Sequence, residues 1–290
     1  MTDRAVNHHI VPEVLQKQFS INGERVRVWR SKRDNAGLYP PPEKKKISKS
    51  FVTRDYNTIL KGTKPSDHVE KEFYGRVDDF LGRWLPEVEN ILQNRSVPAF
   101  NPGALVSVRE MVKVMLMRTP DFANLSSDIE IGKDVVESSI LARTHQGPES
   151  QSASDLLSIL DDKKQLAAIG RDIRVRGTVC GNKKISAVLS EFFPHWAVSS
   201  TNHSFILSSR MVYRVGNGGS NGLLNPNMEI WFPISPKIAL VLTRNINSNI
   251  PLICSEPPEH IRQVNLYAVK SSYEVASHSE KLLSSLLRSR

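Results

Sequence analysis

The hydrophobic period of this sequence changes near residue 185. Before that point apolar residues recur at three- and four-residue spacing. After it they come in short runs cut by Pro, Gly and Asn. Strands that do not alternate regularly with helices do not build a doubly wound parallel sheet. The expected class is α+β, with a helix-rich N-terminal two-thirds and a small antiparallel sheet built from an early strand and C-terminal strands. Residues 1–290 read as a single α+β domain, with a helical subregion over 66–170 and a strand-rich subregion over 185–257.

The strongest helical signal is "SDHVEKEFYGRVDDFLGRWLPEVENILQN". Ser66 can cap it, and Asp67 and Glu70 suit its N-terminal dipole. Val69, Phe73, Val77, Phe80, Leu81, Trp84, Leu85 and Val88 share one face. Pro86 is expected to kink or divide the helix. A second helix, "ALVSVREMVKVMLM", is apolar on most sides, which predicts a place in the core. It should stop at "RTP", because the residue before a proline avoids helical angles. Residues 126–170 read as more polar helix, with a break at "HQGPESQSAS".

At the start, Val11, Val14, Leu15 and Phe19 predict a short helix with Pro12 in its first turn. "ERVRVWR" predicts a half-buried strand with Val26 and Val28 inward. "YPPPEKKKISKS" predicts a solvated loop. Late in the chain, "HSFILSSRMVYRVGNGGSNG" predicts a strand and a glycine-rich loop. "MEIWFPISPKIALVLTRN" predicts two strands around "PISP", and "IRQVNLYAVKSSYEVASHS" a helical close.

A hydrophobic fraction of 39% supports a packed core and excludes a disordered tail. No apolar run is long enough to cross a membrane. The opening "MTDRAVNHHI" lacks the apolar stretch of a signal peptide. The two cysteines, Cys180 and Cys254, lie outside any metal-type spacing, which disfavours zinc and a disulfide framework. A cytoplasmic protein without a membrane role is the expectation. Net charge is +9, from 39 Lys and Arg against 30 Asp and Glu, so nucleic acid is a candidate partner. A protein partner is a second candidate, and the oligomeric state is not legible.

Candidate chemistry centres on His8 and His9 in "NHHIVP", because imidazole titrates near neutrality and can move a proton at working pH. The structural alternative is a histidine that caps the first helix or bonds a backbone carbonyl. Arg118 sits in an apolar segment and needs a partner: a carboxylate such as Glu70 or Glu72, a loop carbonyl, or a substrate anion. Glu70 turned inward would complete a His/Glu/Arg set for acid–base work on anions. Lys44, Lys45 and Lys46 are candidate phosphate contacts, against the plainer reading of a wet surface. Asn202, His203 and Asn265 complete the candidate binding residues. Asn265 reads as a buried amide tied to Arg118 or the His9 backbone. The sequence names no cofactor, and a divalent cation such as Mg or Mn would suit a nuclease.

The order of motifs resembles a bacterial family known as domain of unknown function 4238. The resemblance rests on His9 and Pro12 with "VLQKQFS", "VRVWRSK", "SFVTRDYNT", "HVEKEFYGRVDDFL", "MVKVMLMRTP" with Arg118, the "FPISP" turn and "VNLYAVKSSYEVAS". It spans nearly the whole chain and implies no established activity. The chain departs from the family pattern at "FILSSRMVYR", where Ser209 and Arg210 stand in place of an expected acid. A more local similarity links "HHIVP" to the His-His-Ile-x-Pro segment of some His-Me finger toxin nucleases. That comparison implies a strand before His8, which the sequence does not predict.

The leading functional expectation is a nucleic-acid-directed hydrolase, a nuclease that serves as a toxin or phage-defence effector. The alternatives are a non-enzymatic binding or sensor module for nucleic acid or an anionic ligand, and a protein-interaction component of a defence system.

Overall fold

The computed structural model describes residues 7–62, 64–93, 101–119, 127–144, 151–216, 222–244 and 252–288. The chain packs into two compact units. The first comprises Met1–His8, Thr53–Arg76 and Phe122–Asn182, and the second His9–Val52, Val77–Asp121 and Lys183–Arg290. The expected helical subregion is thereby split, because 77–121 belongs with the strands.

The class is α+β, with mostly antiparallel sheets. The chain opens with strand β1 (Asn7–His9) and helix α1 (Glu13–Gln18), then β2 (Arg27–Lys32), β3 (Glu43–Lys46) and β4 (Val52–Arg54), which pairs with β1. The hairpin β5 (Ile59–Lys61) and β6 (Lys64–Ser66) leads through a π-helical turn, Val69–Tyr74, into α2 (Gly75–Gln93) and then α3 (Pro102–Arg118). Next come α4 (Asp128–Thr144), α5 (Gln151–Leu160), α6 (Lys163–Cys180) and α7 (Lys183–Leu189). Strands β7 (Phe193–Ser199), β8 (Leu207–Ser208), β9 (Tyr213–Gly216), β10 (Met228–Pro233), β11 (Ile238–Thr243) and β12 (Ile253–Glu256) follow. The end is α8 (Pro258–Ser271), β13 (Glu274–Ser277) and α9 (Glu280–Arg288).

In the first unit, α4 and α6 cross at two glycines. A Cβ on Gly170 would lie 1.7 Å from the Asp128 carbonyl oxygen, and one on Gly132 would lie 2.1 Å from that of Leu166. Arg174 of α6 binds Asp128 at 2.9 Å and the Tyr56 carbonyl at 3.0 Å, and lies 4.2 Å from the centre of the Tyr56 ring. Arg176 donates to the Leu60 carbonyl at 2.7 Å, while Asp172 accepts the Leu60 N–H at the same distance. Charged residues of one helix thus fix the chain that leads into the β5–β6 hairpin.

The second unit holds two larger sheets. The first runs β12-β7-β11-β10-β9, antiparallel except for the parallel pair β12–β7. The second runs β3-β2-β13-β8 and is antiparallel throughout. It joins the early strand to C-terminal ones, as expected. The first sheet was not part of the expectation of one small sheet. Leu81, Leu85 and Val88 of α2 are buried, and Trp84 packs against Trp196 of β7 with ring centres 5.7 Å apart. Val112 and Met115 of α3 are fully buried, and Asn101 caps that helix through the Ala104 N–H at 2.8 Å.

Several local expectations are corrected. "EKKK" is a strand, not loop: it forms the sheet edge in register with β2, Arg27 opposite Lys46 and Trp29 opposite Lys44. Charges suit an edge, where they discourage pairing with another chain. Val26 precedes β2 and is 62% exposed, whereas Val28 is fully buried. Ser66 ends β6, and the π-helical turn separates it from α2. Helix α2 runs unbroken through Pro86, whose side is exposed. The C-terminal region is not continuous helix, because the buried Val275 and Ala276 enter the sheet as β13. The glycine-rich 217–221 lies outside the described residues, as does 145–150 of the break expected over 145–154, whose last four residues instead open α5.

Candidate functional site

His9 ends β1, and Pro12, extended at φ −50° and ψ 135°, turns the chain into α1. The histidines therefore lie on a strand, and helix begins at Glu13 rather than Val11. The His9 imidazole retains 20% of its exposure, and its Nε2 lies 2.9 Å from Glu13 Oε1, four residues on. Its Nδ1 lies 3.3 Å from the amide Nε2 of the fully buried Gln16. That Gln16 nitrogen also donates to the carbonyls of Val11 at 2.9 Å and Ser50 at 3.4 Å. An atom facing two carbonyls is the NH₂, so His9 Nδ1 accepts and Nε2–H donates to Glu13.

Arg118 holds the same element from behind. Its fully buried guanidinium donates to Asp78 at 2.6 and 3.4 Å and to the His9 carbonyl at 2.8 Å. The imidazole-bearing strand and the cation of α3 do meet, but through the His9 backbone rather than its ring. The carboxylate on Arg118 is that of Asp78, not the expected Glu70 or Glu72.

The loop that supplies the Ser50 carbonyl is itself fixed. Phe51 is fully buried at a positive φ of 53°, a conformation costing about 1–3 kcal/mol. Its N–H donates to the buried Glu274 carboxylate at 2.7 Å, which also receives Arg30 Nε at 2.6 Å. Charge-assisted hydrogen bonds of this kind are the strong ones. Ile10 N–H donates to the Phe51 carbonyl at 3.0 Å, which ties this loop to the residue after His9. Ser209 accepts the N–H groups of Tyr273 and Glu274 at 3.2 and 3.3 Å, so its hydroxyl serves as a backbone acceptor.

The remaining candidates do not join this site. His8 is fully buried in the first unit, and its Nδ1 accepts the Asn57 N–H at 2.8 Å. Asn57 in turn donates to Glu70 at 2.6 Å, so His8 and Glu70 share Asn57. Sealed from solvent, His8 acts there as a backbone acceptor, not as an accessible base. Lys44 pairs with Glu24 and Lys45 with Glu43, while Lys46 is exposed on the sheet edge. Asn202 is exposed; His203 turns toward Thr201, its ring nitrogen 3.3 Å from the hydroxyl. Asn265 is buried as expected, but its amide bonds the Ser204 carbonyl and the Ile206 N–H at 2.8 and 3.0 Å, not Arg118 or His9.

Sequence reasoning missed Glu13, Gln16 and Asp78. Helical spacing did not reveal the His9–Glu13 pair, because His9 ends a strand and the extended Pro12 turn brings the two together. Nothing in the sequence singled out Asp78 from its neighbouring acids. Among the described residues, no group of three or more His, Cys, Asp or Glu is placed to hold a metal ion.

No curated protein and no solved structure matches the chain. A family model, that of the proteins of unknown function DUF4238, matches residues 7–281. That span takes in β1, both larger sheets and all of α8, and the chain belongs to the DUF4238 family.

Proposed function

We propose that the protein is a nucleic-acid-directed hydrolase acting on RNA, with His9 and Glu13 as its chemical centre. The observation that carries this reading is a half-exposed carboxylate 2.9 Å from one imidazole nitrogen, with the other ring nitrogen facing the buried Gln16 amide. RNA brings its own nucleophile, so an acid–base pair suffices. Glu13 takes the proton of a 2′-hydroxyl as that oxygen bonds to phosphorus. The bond from phosphorus to the 5′-oxygen breaks, and the leaving oxygen takes a proton from water. His9 orients Glu13 through Nε2–H, while Arg118 and Gln16 hold His9. The positive balance of the chain favours a polyanion. A toxin or defence effector is the setting in which such an activity is useful.

The test is cleavage of labelled RNA with and without Mg²⁺ and Mn²⁺. The expected result is product ending in a 2′,3′-cyclic phosphate, with Glu13→Gln and His9→Ala each slowing it at least ~100-fold while folding is retained. Intact RNA in every condition would sink the hydrolase, whatever happens to DNA.

One observation favours a binding module instead: Arg118 and both ring nitrogens of His9 are occupied within the chain. Salt-sensitive retention of RNA without product selects that reading.

A further inference from the structure

A second site lies in the second unit, lined in part by Gln18 at the far end of α1 but by none of the groups already assigned. The "FPISP" turn that the sequence singled out lines a cavity of about 520 Å³. Its walls include Val198, Pro236 and Ile238, and its polar groups include Glu89 of α2, Lys237 and His278. Small-ligand pockets commonly measure about 300–1,000 Å³ and combine apolar walls with a few convergent polar groups. This one suits a nucleoside-sized ligand rather than a single ion.

The polar groups are poised for a ligand with two different ends. His278 Nδ1 is sealed from solvent and has no hydrogen-bond partner. Lys237 Nζ donates to the Thr201 and His203 carbonyls at 2.6 and 3.0 Å. An ammonium has three N–H donors, so one remains for a ligand. Those two bonds fasten the 201–203 turn beside the cavity and give Asn202 and His203 a place in the fold that their sequence did not explain. Glu89 supplies a carboxylate opposite in charge to Lys237.

We propose that this cavity binds a nucleoside monophosphate, with a ring N–H edge on Glu89 and His278 and the phosphate on Lys237. Burial pushes the Glu89 carboxyl up. Burial, and then the Lys237 charge, push His278 down, which favours the neutral, accepting ring. Glu89, Lys237 and His278 are the titratable groups among the residues that line the cavity. Binding therefore weakens as pH falls and Glu89 and His278 take up protons.

The experiment is calorimetric titration of the full chain with AMP, GMP, CMP and UMP, with ribose 5-phosphate and inorganic phosphate as controls. At least one nucleotide should saturate at millimolar concentration or below, and the controls should not. Lys237→Ala and Glu89→Gln should each weaken it at least tenfold with thermal unfolding otherwise unchanged, and His9→Ala should leave it intact. No saturation by any nucleotide, equal binding of ribose 5-phosphate, or wild-type affinity in both cavity variants would overturn the proposal. It does not rest on the His9 reading, because RNA cleavage and nucleotide binding are separate measurements that fail separately.

Discussion

Arg118 illustrates how one residue can be vital without touching a substrate. Its guanidinium is fully buried, with a carboxylate on one side and the His9 carbonyl on the other. Removing one partner of a buried pair costs about 3–5 kcal/mol, and the 29% exposure of Asp78 puts this pair at the low end of that range. Arg118→Ala should therefore lower stability by about that amount in urea unfolding, because Asp78 loses its cation. Arg118→Lys should recover only part of the loss, since an ammonium cannot reproduce the paired contact to Asp78. Equal stability of wild type and Arg118→Ala would remove the anchoring role assigned here. Glu274 has the corresponding role for Phe51, and Glu274→Gln should weaken the positive-φ loop by about 1–3 kcal/mol, measured the same way.

At the scale of elements, the crossing of α4 and α6 is the most sharply defined. Nothing larger than hydrogen fits where Gly170 meets the Asp128 carbonyl or where Gly132 meets that of Leu166. A methyl group at either point must push two helices apart, and overpacking of this kind costs about 1–3 kcal/mol or more. Gly170→Ala should destabilise by at least about 2 kcal/mol despite the better helix propensity of alanine. The same change at Gly177 of α6, where nothing lies within 4 Å, should be neutral or stabilising. Thermal unfolding of the two variants side by side decides it, and similar midpoints would show that the crossing is looser than described.

At the scale of the molecule, His195 and His278 contribute to the response to acid. His195 of β7 is 8% exposed, and burial lowers its pKa from 6.5 to about 4. Unfolded, the same imidazole takes a proton at the ordinary value, so between those two pH values the unfolded chain binds more protons than the folded one. Stability should fall as pH drops from about 6.5 to about 4, by roughly 3 kcal/mol in total at about 1.4 kcal/mol per pH unit. His278, also pushed down, adds in the same direction. Urea midpoints measured across that range should show the decline, and His195→Gln should flatten it. An unchanged slope in that variant would assign the acid response to other groups. No helix among the described residues is long and apolar enough to cross a membrane.

By itself the sequence determined what depends on neighbours along the chain. Periodicity located α2 and α3, the proline after Thr119 marked the end of α3, and the residues around "PISP" gave the β10–β11 hairpin. The ordered motifs carried the family across almost the entire chain. Tertiary structure alone decided the rest. "EKKK" became a strand because β2 offered it a partner, which no local propensity encodes. Pro86 stayed within a helix because flanking Leu85 and Val88 are buried against the core, and packing outweighed the lost hydrogen bond. Asp78, rather than Glu70, took Arg118 because the choice among nearby acids depends on the direction of a side chain in space. His8 and His9 are adjacent and chemically identical, yet one is sealed against a backbone amide and the other faces Glu13. Successive side chains on a strand point to opposite sides, and only the packed fold decides which side is solvent.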